Sequence, residues 1–381
     1  MSGPTYPAAS AVAVTIQDYF ARHQAVARTK PQKLAPPPDA SAVEAIINVT
    51  FWASLRKEEG YAPKISLAFL PPEASSQPMM FEQPLELTPS ALSRMAPAVE
   101  RPGIHLGVWR DPASDGELRV WGVTRMIPKL CFVLEVIEPG LLVVKYKRSQ
   151  DTGKYVNVAV LKGDEIKIVD EQGTSLPDCP ALVTALLGFG APGSPGDALN
   201  VLVQLAASMR AHGRGGSLLV VPQGSHKWRE SIIQHVPYAV APPYAELAAL
   251  MRLDVRERSR QIWQESFIDA VDAIAGLTAV DGAALMSDQY ELLAFGAKIG
   301  RRTGGTRVEQ VVVTEPVMGN SAAVVQPLEL GGTRHLSAAQ FVYDQRDAVT
   351  LVASQDGRFT VFAWSPCEEM VHAHRVETLL M

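Results

Sequence analysis

Between Gly103 and Val169 the chain repeats one pattern: a short run of β-branched, aromatic and aliphatic residues, closed by Gly, Pro, Asp or Ser. The runs cover residues 104–109, 118–124, 131–137, 141–147, 156–160 and 165–169. Runs of this length and composition fit strands, and their even spacing predicts an antiparallel meander. The pattern stops at the Gly- and Pro-rich stretch 188–196, which is the expected domain boundary. Beyond it, helical stretches (197–212 and 244–275) alternate with apolar strand runs at 217–221, 283–286, 291–299, 308–313, 348–353 and 358–364. Helices mixed with such runs predict an α/β layer architecture. The expectation is therefore an α+β, β-rich domain over residues 1–190 and an α/β domain over 195–381.

The N-terminal part is less regular. Residues 1–12, rich in Ala, Pro and Ser, read as a loose tail. Residues 14–28 read as a short amphipathic helix and 29–40, with three consecutive prolines, as a linker. Residues 45–53 and 65–70 read as strands, and 89–99 as a short helix.

Bulk properties narrow the function classes. The 381 residues carry a formal charge of −5, which gives no general attraction to nucleic acid or acidic membranes. Cys131, Cys179 and Cys367 have no metal or redox spacing and suit a reducing compartment. No secretory signal and no apolar run long enough to span a bilayer is present, so a cytoplasmic location is expected.

Two segments carry candidate chemistry. Asp281-Gly282-Ala283 puts a carboxylate on a tight turn before a strand; it reads either as a surface Asp or as a group that holds a divalent metal or activates a hydroxyl. Gly332-Thr333-Arg334-His335 opens a helical pattern, where backbone N–H groups and the positive dipole end attract phosphate. Thr333 would cap that helix, Arg334 could grip phosphate oxygens, and His335 could touch metal or phosphate. Ser354-Gln355 ends a strand before the Asp356-Gly357 turn. The loop Gly213-Arg214-Gly215-Gly216 precedes a strand, opposite to the order of a P-loop, and reads as structural. His372 and His374 have strand spacing but no evident third metal ligand.

Taken in order, Asp-Gly-Ala, Gly-Thr-Arg-His and Ser-Gln over roughly the last 190 residues resemble the diadenylate cyclase catalytic domain, a central mixed sheet flanked by helices. The layout of residues 1–190 resembles the DACNV sensor domains that precede some of these cyclases. The resemblance implies condensation of two ATP into cyclic di-AMP with release of pyrophosphate, assisted by Mg2+ or Mn2+, in a homodimer or higher oligomer. It implies Asp281, Arg334 and His335 as catalytic, with Asp281 and His335 at the metal. Gly282, Ala283, Gly332, Thr333 and Ser354 would bind nucleotide. One departure stands out. Leu336 occupies the place of the second arginine in the family's Arg-His-Arg, so Arg301, Arg302 or Arg307 is expected to supply the charge. The alternative implied is a degenerate domain that binds a nucleotide or cyclic dinucleotide without turnover.

Overall fold

The computed structural model describes residues 4–27, 34–57, 60–147, 155–170, 201–233, 235–258 and 260–381. The expected boundary at 188–196 and Cys179 lie outside the described residues. Contacts divide the chain into two compact units, Met1–Val169 with Met381, and Asp170–Leu380.

Among the described residues the first unit holds three α-helices, α1 (Pro7–Ala27), α2 (Ala40–Ser54) and α3 (Pro89–Val99). Its strands are β1 (Ser66–Phe69), β2 (Pro78–Glu86), β3 (His105–Asp111), β4 (Glu117–Thr124), β5 (Phe132–Glu138), β6 (Leu141–Lys147), β7 (Tyr155–Lys162) and β8 (Glu165–Ile168). They form one mixed sheet in the order β2-β4-β3-β1-β5-β6-β7-β8. The expected meander holds from β5 to β8, but β1 and β3 pair in parallel, because the chain crosses over through β2 and α3 between them. Leu67, Phe69, Leu106, Val108, Leu134 and Val144 point to one face, where Ile16, Phe20, Ile46 and Ile47 of the helices cover them. The opposite face joins an apolar patch of Leu70, Trp121 and Val133 to a row of polar residues.

Two expectations are corrected here. The tail is helical from Pro7, with Ala9, Val12 and Ala13 buried, since alanine favours helix and lets α1 approach its neighbours closely. Residues 45–53 are helix, not strand. Asp39 caps α2 by accepting from the Ala42 amide at 2.9 Å, and Ala42, Val43, Ile46, Ile47, Thr50 and Ala53 form a buried stripe of helical period. That burial outweighs the β-propensity of Ile, Val, Thr, Phe and Trp.

The second unit is a mixed sheet with helices. Its strands are β9 (Gly216–Val221), β10 (Tyr238–Tyr244), β11 (Ala283–Ser287), β12 (Leu292–Ala297), β13 (Val311–Thr314), β14 (Ala323–Val325), β15 (Val349–Ala353), β16 (Phe359–Ser365) and β17 (Met370–Arg375). Their order is β10-β12-β11-β9-β15-β16-β17-β13-β14. The helices are α4 (Val201–Ala211), α5 (Glu246–Arg252), α6 (Val255–Arg258), α7 (Gln261–Leu277), α8 (Pro327–Leu330) and α9 (Thr333–Asp344). α9 packs on Leu219, Leu285, Val352 and Phe362, while α4 packs with α7 and against β15. Among the described residues no helix is long and apolar enough to cross a membrane.

Candidate functional site

Strand direction decides which loops meet. β9 and β11 run parallel, β15 runs antiparallel to β9, and β12 antiparallel to β11. β16 opposes β15, β17 opposes β16, and β13 parallels β17. One sheet edge therefore collects Gly215 before β9, Asp281-Gly282 before β11, Lys298 after β12, the Ser354–Arg358 hairpin, Glu315 after β13 and Arg375 at the end of β17. This edge carries the amino ends of the parallel pair β9 and β11 together with the carboxyl ends of β12, β13, β15 and β17.

Asp281 stands on this edge with its side chain 94% exposed and its Oδ1 2.5 Å from the Lys298 ammonium. The Lys298 hydrogen bond and charge, joined by the charge of Arg334, hold its carboxyl below the usual range. Arg334 leans over Gly215: a Cβ there would come 2.9 Å from its Nη1, and Gly215 has φ +71°. The acidic turn and the first turn of α9 thus sit in one electrostatic neighbourhood. Gln355 closes the corner, its Cγ as near to Gly215 as the Ala353 carbonyl and its Nε2 3.4 Å from the Arg214 carbonyl oxygen.

Gly332, not Thr333, is the N-cap of α9, and no side chain caps it. Thr333 is the first helical residue and is exposed. The His335 amide donates to the Gly332 carbonyl at 3.1 Å, while the Thr333 and Arg334 amides keep donor capacity at a positive dipole end.

The role expected for His335 is revised. It is 3% exposed, with Nε2 3.4 Å from Thr360 Oγ1 and its ring against Gly331 and Phe362. Burial lowers its pKa; Asp356 opposes this, and Arg375, Arg358 and Arg334 reinforce it. The reason is helical period, since residues 335, 338, 339 and 342 form the stripe that α9 buries. A neutral ring in that stripe positions the helix and is not presented as a metal or phosphate ligand.

Gly282 is needed, but for packing. At φ +120° a Cβ would stand 2.6 Å from the Gly296 carbonyl oxygen of β12. Ala283 is buried in the sheet core, so its side chain faces no solvent. Ser354 shapes the hairpin: its amide donates to the Arg358 carbonyl at 2.9 Å, and its hydroxyl bonds Asp356.

Two of the three substitute arginines, Arg302 and Arg307, lie along another part of α9. The Arg302 amide donates to Asp344 Oδ2 at 2.9 Å, and Gln340 clasps Thr306 and Val308. Residues 302–308 thus follow the middle and far end of α9, away from its start. Leu336 is half-buried against the apolar cluster that includes Val308 and Leu330.

Lys298 and Gly215 are the participants that motif reading missed. Lys298 follows an apolar strand in no recognisable motif, and Gly215 lies in a loop read as structural. His372 bonds Glu368 at 3.0 Å and His374 bonds Thr314 at 2.7 Å, both buried. Among the described residues no group of three His, Cys, Asp or Glu side chains converges on a point that could hold a metal ion. The exposed Asp281 carboxylate suits Mg2+ or Mn2+ of the kind held by one carboxylate and substrate phosphates; His335 does not. A cavity of about 270 Å³ lies between the β13–β14 pair, α8 and Arg375, and neither Asp281 nor Arg334 lines it.

Residues 32–125 match the family model described as "Probable sensor domain DACNV", a span that runs through α2, α3 and β1 to β4. No curated protein matches the chain. Residues 32–125 of the first unit are therefore similar to the probable sensor domains that this family model describes.

Proposed function

We propose that the second unit binds ATP at the edge shared by Asp281 and Arg334 and joins two ATP into cyclic di-AMP, under control of the sensor domain. One observation carries this reading: the Arg334 guanidinium lies over Gly215 and within the field of Asp281. A carboxylate and a guanidinium beside an uncapped helix start are what a nucleotide triphosphate and a ribose hydroxyl require. The DACNV match supports the same assignment, because such sensor domains accompany diadenylate cyclases.

Arg334 and the first-turn amides of α9 would hold phosphate oxygens. Asp281 would accept the hydrogen bond of a 3′-hydroxyl on a nucleotide held by a facing copy. The 3′-oxygen forms a bond to the α-phosphorus, the bond to the β-phosphate oxygen breaks, and pyrophosphate leaves with the electron pair. Two such steps close the ring. The hydroxyl proton passes along Asp281 to bulk water, since its low pKa makes it a transient acceptor. Mg2+ or Mn2+ on Asp281 and the triphosphate would supply further charge neutralisation. Because each copy holds one ATP, turnover depends on self-association.

A second reading rests on Leu336. Its packing leaves Arg334 as the guanidinium of the first turn, which suits a nucleotide or cyclic dinucleotide receptor without turnover. The full chain incubated with ATP and Mn2+ separates the two, with products read by mass spectrometry. Cyclic di-AMP that falls by roughly a hundredfold in Arg334→Ala, in line with losing a preorganised charge contact, and vanishes in Asp281→Asn supports the cyclase. No product, but thermal stabilisation by ATP or cyclic di-AMP that Arg334→Ala removes, supports the receptor. Neither product nor stabilisation overturns both.

A further inference from the structure

We propose that the first unit carries an oxyanion-binding site on the sheet face opposite its helices, with Lys147 and Lys145 as its cationic contacts and Tyr155 as its floor. This is independent of the cyclase reading and assigns a ligand class to the sensor domain's unit.

The sheet register builds the site. Ser66 pairs with Glu135 across β1 and β5, Lys145 with Asn157 and Lys147 with Tyr155 across β6 and β7. Alternation along each strand sends His105, Ser66, Glu135, Lys145, Lys147 and Tyr155 to the face away from α1 and α2. A continuous hydrogen-bonded chain results. Ser66 Oγ lies 2.7 Å from His105 Nδ1 and 3.3 Å from Glu135 Oε1; His105 Nε2 lies 2.9 Å from the Tyr155 hydroxyl. Glu135 also takes the Lys145 ammonium, which stands 4.6 Å above the Tyr155 ring. If Nδ1 donates to Ser66, Ser66 donates to Glu135 and Tyr155 donates to Nε2, every member is satisfied with His105 neutral.

Lys147 is left over. It is 8% exposed, yet it makes no ion pair among the described residues. Both lysines act on His105, which is 0% exposed and whose pKa burial and these two charges push down to about 3. Two ammonium groups stand against one carboxylate, so this face carries an excess of positive charge, and repulsion between the lysines destabilises the unit until a counter-charge arrives. The matching ligand bears acceptor oxygens and negative charge, a phosphate or a carboxylate. The His105–Ser66–Glu135 chain positions Lys145 and Tyr155 and touches no ligand.

The test uses the full chain in an Arg334→Ala background, so that phosphate binding at the second unit does not contribute. Histidine-labelled protein is titrated with inorganic phosphate or malonate at matched ionic strength, with chloride as reference. The His105 resonance is identified from His105→Gln. The expected result is a saturable shift of that resonance with at least one oxyanion, the responding anion naming the source. Lys147→Gln should weaken binding roughly ten- to hundredfold, the range for a charge-assisted contact, and Lys147→Arg should keep it. Lys147→Met should raise the thermal midpoint in oxyanion-free buffer. The same shift with chloride, or unchanged binding in Lys147→Gln, overturns the site. If Lys147→Gln does not fold, a Lys147→Met midpoint at or below that of Lys147→Arg does so instead.

Discussion

Two glycines on either side of Asp281 respond oppositely to a methyl group. At Gly276, inside α7, a Cβ would meet no atom within 4 Å, whereas at Gly282 it would meet the β12 backbone, and at positive φ. Gly276→Ala is expected to raise stability by about 0.5 kcal/mol through helix propensity. Gly282→Ala should lower it by about 2–3 kcal/mol, because strain and close contact coincide. Urea unfolding midpoints check both, and an unaffected Gly282→Ala would refute the packing role. The same contrast explains what was legible. Asp281, Gly282 and Arg334 announce themselves in contiguous motifs. Lys298 joins Asp281 only because Ala283 pairs with Ala297 across β11 and β12, and register over that distance is not written locally. His335 looked like a ligand by its motif, and its place in the buried stripe follows from counting helical turns from Gly332.

At the scale of elements, caps and burial decided where propensity misled. The run 45–53 has strand composition, yet Asp39 starts a helix there and helical spacing buries its apolar residues. Asp39→Ala should cost about 1 kcal/mol, the usual value of a helix N-cap, while Asp39→Asn keeps an acceptor and should cost a few tenths. Arg110, which bonds Asp39 at 2.7 Å on the surface, provides the control: Arg110→Ala should have little effect. Equal losses in Asp39→Ala and Arg110→Ala would assign the effect to the ion pair. Interior strands such as β5, β6, β9 and β15 were readable as apolar runs. The edge strands β10 and β14 and the exposed β2 were not, since sheet edges tolerate proline and polar residues.

For the whole molecule, the division into a β-rich and an α/β half was readable from periodicity, while the parallel pairings β1–β3 and β13–β17 were not, because crossovers leave no local mark. Acid stability depends on both halves through buried histidines, His105 in the first unit and His374, joined by His335, in the second. Burial pushes the pKa of His105, in the first unit, and of His374, in the second, to about 3, with Lys145 and Lys147 reinforcing the first and His372 the second. Below about 6.5 the unfolded chain takes up protons that the folded chain refuses, so stability falls with decreasing pH down to about 3. The slope is about 1.4 kcal/mol per pH unit for each histidine, which amounts to about 2 kcal/mol between pH 6.5 and pH 5. Hydrogen exchange resolves the two contributions, with protection compared at pH 7 and pH 5 after correction for intrinsic rates. His105→Gln should remove the pH-dependent loss from peptides spanning β3, β5 and β6 and leave β16 and β17 as sensitive as before. A loss that persists unchanged in the first unit of His105→Gln would mean that other groups carry its acid sensitivity.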